Sequence, residues 1–185
     1  MPSCCISAMT MWTRVKQLWS ALTAKLTDED RGFVAANLTP AEQALFYAMN
    51  LPDQRHALNV AYTALRLASE YTGVDCSLLT KCTLLHDVGK VKGDVSTWDK
   101  VLTVLAHRLA PGWAEEWGRC GRGGRLDNIR HAFHVYFHHP ERSAELVRSL
   151  GEGDRIADII LRHHEPETAG EPLELTLLRQ ADNMN

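Results

Sequence analysis

Seven side chains that can ligate metal ions are spread along most of this 185-residue sequence. They are five histidines and two aspartates, namely His56, His86, Asp87, His139, His163, His164 and Asp182. This set is too large for one tetrahedral ion, which takes about four ligands, but it would suit two ions that share one carboxylate. We expect Asp87 to be the shared ligand, because it directly follows His86 and both side chains leave the same backbone segment.

The mixture of nitrogen and oxygen donors also limits the identity of the metal. It favours iron, with manganese, cobalt or nickel as alternatives. Magnesium and calcium are disfavoured because they prefer oxygen ligands. We therefore expect two divalent transition-metal ions as cofactors.

Each of these residues also has a simpler explanation when it is taken alone. A histidine on an apolar helix is usually a hydrogen-bonded core or surface residue, and His163-His164 could be a solvated helix end. The stretch LLHDVGK (84–90) could be only a helix C-terminus that stops at Gly89. If the motif register slips by one residue, His138 rather than His139 would be the ligand. The metal hypothesis therefore depends on the side chains meeting in space.

The elements that must bring these side chains together are predicted to be helices. Apolar residues recur at three- and four-residue intervals nearly throughout, and no strand pattern or repeat is found. Thr39, Pro40 and Glu42 form a helix start with a capping box, and Ser77 is the expected N-cap of the helix that stops at Gly89. The other predicted helices cover residues 12–26, about 53–73, 77–89, 96–109, 127–138, 140–150, 154–164 and 172–182. Pro140 would lie in the first turn of the helix predicted at 140–150. The expected fold is all-α, a compact single-domain helical bundle.

Composition argues against several kinds of partner. The formal net charge is −3, so no strong basic field exists to recruit nucleic acid or an anionic membrane. No stretch has the roughly 18–20 apolar residues of a membrane span, and the start of the chain lacks the pattern of a signal peptide. The five cysteines form no CxxC pair, which favours reduced thiols. We expect a cytoplasmic protein without membrane or nucleic-acid partners, and the oligomeric state is left open.

Five motifs, taken in chain order, resemble the HD-domain superfamily of metal-dependent phosphohydrolases. They are QRHALNVA (54–61), LLHDVGK (84–90), HHPERSAELV (138–147), LRHHE (161–165) and LLRQADN (177–183). The resemblance is strongest to the His-rich HDIG-type branch, which is related to HD-GYP proteins and cyclic-di-AMP phosphodiesterases. HD-GYP proteins carry Gly-Tyr-Pro after their His-His-Glu, whereas this chain reads HHEPETAGEPLE (163–174). Residues 51–185 would form the HD domain, and residues 1–50 an N-terminal helical extension packed on its core.

The resemblance implies which residues share each ion. One ion would be bound by His56, His86, Asp87 and Asp182, and the second by Asp87, His139, His163 and His164. The implied reaction is hydrolysis of a phosphoester in a small phosphorylated substrate, a nucleotide or cyclic dinucleotide, by hydroxide held at the two metals.

Two cationic side chains are candidates for substrate binding. Lys90 resembles the family lysine that contacts substrate phosphate, and together with Asp87 it is assigned to catalysis. Arg142 lies one helical turn past His139 and is a second candidate for phosphate binding, with a solvated side chain as the alternative.

Two other functions fit part of the pattern. HD-type di-iron oxygenases resemble the chain but use only one histidine of the doublet, so the presence of His163, His164 and Lys90 favours hydrolysis. A non-catalytic, metal-bearing sensing module is the second alternative, and the complete ligand set argues against it.

Overall fold

A computed structural model describes residues 25–93, 117–151 and 153–185. These residues contain seven helices: α1 (Asp28–Asn37), α2 (Pro40–Ala48), α3 (Leu51–Ala68), α4 (Cys76–Leu85), α5 (Arg125–Ser149), α6 (Asp154–Arg162) and α7 (Leu173–Met184). Within the described ranges, the β-type pairing is limited to an isolated antiparallel bridge between Met49 and Val91. The predicted all-α class is therefore confirmed. The helices predicted at 12–26 and 96–109 lie outside the described residues.

Helix α2 begins where the sequence predicted. The Thr39 hydroxyl accepts a hydrogen bond from the Glu42 backbone N–H, and the Glu42 carboxylate accepts one from the Thr39 N–H at 2.7 Å. Pro40 occupies the first turn, where its missing N–H costs no hydrogen bond. The capping box at Thr39 is confirmed.

The two helices before α3 pack on the same core as the helices that follow. Val34 of α1 and Phe46 of α2 are fully buried in a cluster with residues of α3, α4, α6 and α7. The fully buried Glu42 carboxylate pairs with Lys81 of α4 at 2.9 Å. Burial of these apolar side chains fixes α1 and α2 against the rest of the bundle.

The predicted bounds of α4 are wrong at both ends. Its N-cap is Asp75 rather than Ser77, and the Asp75 carboxylate accepts a hydrogen bond from the Leu78 N–H at 3.0 Å. The helix ends at Leu85, and the next four residues form turns rather than a further turn of helix. Gly89 is thus not a helix stop, and the His86-Asp87 pair lies just beyond the helix end.

The two helices predicted at 127–138 and 140–150 are one continuous helix. Helix α5 runs for 25 residues with Pro140 in its interior. A proline there usually breaks or kinks a helix, because it removes one backbone hydrogen bond and its ring crowds the carbonyl four residues earlier. Here the helix continues, which places His139 inside a helix and not at a helix end as predicted.

The remaining helix predictions are close to the structure. Helix α3 ends at Ala68, earlier than the predicted Gly73, while α6 and α7 match their predicted ranges to within two residues at each end. In the described part of the chain, none of the helices combines the length and the apolar character that crossing a bilayer requires. Cys76, Cys82 and Cys120 are free thiols.

Candidate metal centre

Five helices deliver the seven predicted ligands to one place. His56 projects from α3 and Asp182 from α7, while His139 lies within α5. His86 and His163 are the C-cap residues of α4 and α6, so the pairs that they begin, His86-Asp87 and His163-His164, lie at helix ends. The seven residues meet although 126 positions separate the first from the last.

One group of donors combines two imidazoles with a carboxylate. His56, His86 and Asp182 each offer an atom within 4.8 Å of the others. The Asp182 Oδ1 atom lies 2.9 Å from the Nε2 atom of His56 and 3.7 Å from that of His86. This group could hold one metal ion.

A second group consists of three imidazoles. His139, His163 and His164 also place one nitrogen each within a 4.8 Å span, and the Nε2 atoms of His139 and His164 are 3.1 Å apart. Asp87 could complete this ligand set, since its Oδ1 atom lies 3.3 Å from His139 Nε2.

The Asp87 carboxylate lies between the two groups and is 2% exposed. Its Oδ2 atom is 3.5 Å from the Nε2 atom of His86 and 4.0 Å from that of His56. Its Oδ1 atom faces His139. The two oxygens of one side chain are therefore directed at different donor groups, which is the placement that a shared ligand requires.

Three buried imidazoles share the same anchoring contact. The Nδ1 atoms of His86, His139 and His163 lie 2.8, 2.7 and 2.6 Å from the carbonyl oxygens of the residues three positions earlier. A carbonyl can only accept, so each Nδ1 carries a proton, and in the neutral ring each Nε2 then has the lone pair.

The Nε2 atoms of His86 and His163 are buried and have no hydrogen-bond partner among the residues that the structure describes. Buried polar atoms are nearly always paired. These two atoms therefore fit a role as ligands of a metal ion, in the tautomer that ligation needs.

The protonation states also suit metal binding. Burial alone would raise the pKa of Asp87, but Lys90 and the neighbouring histidines hold it well below its ordinary value. For Asp182, contacts with His56 and His86 likewise outweigh burial and lower the pKa of the carboxyl. Both carboxylates are ionised at neutral pH.

The imidazoles of the second group, His139, His163 and His164, are neutral at neutral pH. Burial lowers the pKa of His163 to about 3, and burial together with the charge of Lys90 holds the pKa of His139 well below its ordinary value. Metal ligation needs neutral imidazoles, so these three histidines need not release protons before they bind. In the first group, by contrast, the charges of Asp87 and Asp182 outweigh burial and raise the pKa of His86, so this imidazole would release a proton when it binds a metal.

Lys90 lies directly beside the predicted shared ligand. Its Nζ atom is 2.7 Å from Asp87 Oδ1, and its side chain is 22% exposed. Burial disfavours the ammonium form, but attraction to Asp87 and to the more distant Asp53 and Asp182 outweighs this and raises the pKa of Lys90. The side chain is a protonated cation at the rim of the cluster.

The other predicted candidates are less central. Arg142 is half-buried on α5, one turn past His139. His138 is exposed, and its ring packs against His134 with centroids 4.5 Å apart. His139, and not His138, shares the cluster with His163 and His164.

The sequence reasoning missed a close contact behind the cluster. A Cβ atom added to Gly89 would lie 2.6 Å from the His139 carbonyl oxygen and 2.9 Å from Ser143 Oγ. The fully buried Ser143 hydroxyl accepts a hydrogen bond from the Gly89 N–H at 2.8 Å. Gly89 is thus required for close approach to α5. The available signal was a small residue, Ser143, four positions after His139 on the same helix face.

Comparison with known proteins identifies the family. The sequence model described as "HD domain" matches residues 54–185, which is more than half of the chain. The chain belongs to the HD domain family. The expected superfamily is thereby confirmed, and with it the general class of metal-dependent phosphohydrolases.

One curated relative extends this finding. The HD domain chain is 33% identical over 126 residues to Ribonuclease Y of Pseudothermotoga lettingae, an alignment that covers 61% of this chain and 25% of that protein. The chain thus spans about a quarter of the length of this relative. No solved structure gave a significant match.

Proposed function

We propose that this HD domain protein is a metal-dependent phosphodiesterase or phosphohydrolase that cleaves a phosphoester of a nucleotide or cyclic dinucleotide at a pair of divalent cations. The observation that carries the proposal is the placement of Asp87 between two donor groups, with one oxygen directed at each. His56, His86 and Asp182 would complete the site of one ion. His139, His163 and His164 would complete the site of the other.

The proposed ions are transition metals, with iron first and manganese, cobalt or nickel as alternatives, because five of the seven donors are imidazoles. When bound, two such cations would make a nucleophile available from water at neutral pH and offset charge on the phosphoryl oxygens. The reaction needs no other general base for the attack. The ionised carboxylates and the neutral imidazoles of the second group described above suit the binding of these cations.

The chain's own residues would bind and orient the substrate. Lys90 would donate from its ammonium group to a non-bridging phosphate oxygen, exchanging part of its contact with Asp87 for one with the substrate. Arg142 is proposed as a second, outer contact. The proposed catalytic domain is residues 51–185, with residues 1–50 as an extension.

A related candidate substrate is RNA. The curated relative is named as a ribonuclease, and an RNA linkage is a phosphodiester like that of a cyclic dinucleotide. The net charge of −3 gives no general attraction to RNA. Assays on both substrates must therefore decide between RNA and a cyclic dinucleotide.

The test begins with protein purified without oxygen and analysed for its metal content. The metal-loaded protein is then assayed on a generic phosphate bis-ester, cyclic dinucleotides, nucleoside monophosphates and a short RNA. We expect turnover of at least one phosphoester that stops on chelation and returns with added metal. A metal-replete protein that turns over none of them would contradict the proposal and favour a sensing module, while uptake of dioxygen with a candidate substrate would favour an oxygenase.

A matched pair of lysine variants tests the role of Lys90. Lys90→Met should lower kcat/KM by about 10²-fold or more, because a donor to the charged transition state is lost. Lys92→Met changes an exposed lysine two residues away and should leave turnover unchanged. Equal activity of the two variants would contradict the assignment of Lys90.

A further inference from the structure

The three anchored imidazoles obtain their carbonyl partners in different ways. Thr83 and Ile160, which accept from His86 and His163, lie in the last turns of α4 and α6. Carbonyl groups in the last turn of a helix have no partner within the helix, so they are available to a side chain. Tyr136, which accepts from His139, lies instead in the interior of α5.

In the interior of a helix, a carbonyl normally accepts the N–H of the residue four positions later. For Tyr136 that residue is Pro140, which has no N–H. The Tyr136 carbonyl is therefore left without its usual helical donor at the point where the His139 imidazole reaches it. The His139 Nδ1 atom is 2.7 Å away.

We propose that Pro140 is a positioning residue for His139: because it lacks a backbone N–H, the Tyr136 carbonyl can accept from the Nδ1–H of His139, and the Nε2 atom of His139 then faces Asp87 and His164. Inside a continuous helix, the proline thus gives His139 what a helix end gives His86 and His163, namely a carbonyl partner to which the residue four positions later donates no backbone N–H. This accounts for a buried proline next to a buried histidine in a helix that continues past residue 140.

The effect of restoring the donor follows from the geometry. In Pro140→Ala, the new N–H would donate along the helix axis to Tyr136. A carbonyl has two lone pairs, so the imidazole contact weakens rather than disappears. The His139 ring then populates the other neutral tautomer and other orientations. The helix itself does not suffer, since alanine is the better interior residue.

The orientation is measured on metal-free protein, by ¹⁵N NMR of the labelled imidazoles at neutral pH. We expect one Nδ1–H tautomer for His139 in the natural sequence and a mixture in Pro140→Ala. Pro40→Ala is the matched control. Pro40 lies in the first turn of α2, where a backbone N–H has no carbonyl acceptor within the helix, so this substitution restores no helical hydrogen bond. An unchanged His139 tautomer in Pro140→Ala would overturn the inference.

A second variant separates the missing donor from the shape of the ring. Replacing Pro140 by lactic acid gives an ester linkage that also lacks an N–H but has no pyrrolidine ring. The inference requires this variant to show the single tautomer of the natural protein. If it instead gives the mixture of Pro140→Ala, the missing N–H is not the cause and the inference is wrong.

The consequence for metal binding rests on the proposed function. Loss of the partner that orients a ligating histidine typically weakens metal affinity about 10- to 100-fold. Pro140→Ala should therefore bind Mn²⁺ at least about tenfold more weakly by calorimetry while its Tm is unchanged or higher. A proline that served only stability would instead give a lower Tm and unchanged affinity, which would count against the inference. If the natural protein bound no metal, the proposed function would fail, whereas the metal-free NMR result would still decide the role of Pro140.

Discussion

Substitution of Asp87 by asparagine should remove most of the stabilisation that metal ions give to this protein. A ligand that binds only the folded state at about 100 times its Kd stabilises by about 2.7 kcal/mol. For a chain of 185 residues, each kcal/mol corresponds to about 2–4 °C in Tm. Each bound ion should therefore raise Tm by about 5–11 °C at that concentration.

The Asp87→Asn variant loses the charge that both ions would share. If Kd rises about 100-fold, the same metal concentration only equals Kd, and the stabilisation falls to about 0.4 kcal/mol per ion. That corresponds to about 1–2 °C. Because Asp87 contacts both donor groups, we expect the loss to affect both ions.

The assay is a thermal melt with and without Mn²⁺, and the quantity compared is the rise in Tm caused by the metal. The metal-free Tm is not the readout, because asparagine also breaks the 2.7 Å ion pair with Lys90. Asp158→Asn is the control, since this aspartate is half-exposed on α6 and contacts only Arg162 among the ion pairs of the described residues. A metal-induced rise in Asp87→Asn equal to that of the control would refute the shared-ligand reasoning.

Two further predictions test neighbouring parts of the structure. His139→Ala should bind one metal ion fewer than the natural protein, as measured by elemental analysis. His138→Ala changes the exposed neighbour and should keep the full metal content. Equal loss of metal in both variants would show that the wrong histidine was assigned. A hydrogen bond from Arg179 lowers the pKa of Glu171 from its ordinary 4.5 to about 2, so the carboxylate stabilises the fold above about 4.5 and loses this contribution as pH falls towards 2. Urea unfolding across this range should show a smaller loss of stability in Glu171→Gln than in the natural protein, and parallel curves would contradict the assignment.

Helix starts were predicted correctly where residues close together in the sequence determine them. The Thr39–Glu42 capping box needs only residues three apart, and the structure has it. Ser77 was predicted as an N-cap, but Asp75 can cap a helix equally well, and Asp75 is the N-cap in the structure. The Asp75 N–H donates to Glu174 of α7 at 2.9 Å, a contact that no local pattern reveals.

The helix stop that was predicted at Pro140 is wrong for a different reason. Sequence rules stop a helix near a proline, but this helix continues, and the Tyr136 carbonyl that loses its backbone donor has a partner in His139, three residues further along the same helix. For the site, the resemblance to the HD-domain superfamily, which the order and types of the ligands carry, named the side chains that the structure brings together. The close contact of Gly89 with α5 was missed, because the small residue Ser143 is only a weak signal and the contact depends on the distance between two elements far apart in the sequence.

The most direct test of the account is anomalous diffraction from crystals of the protein loaded with manganese or iron. The account predicts two metal peaks with Asp87 ligating both, one flanked by His56, His86 and Asp182, and the other by His139, His163 and His164. A single peak, or two peaks that do not share Asp87, would contradict it.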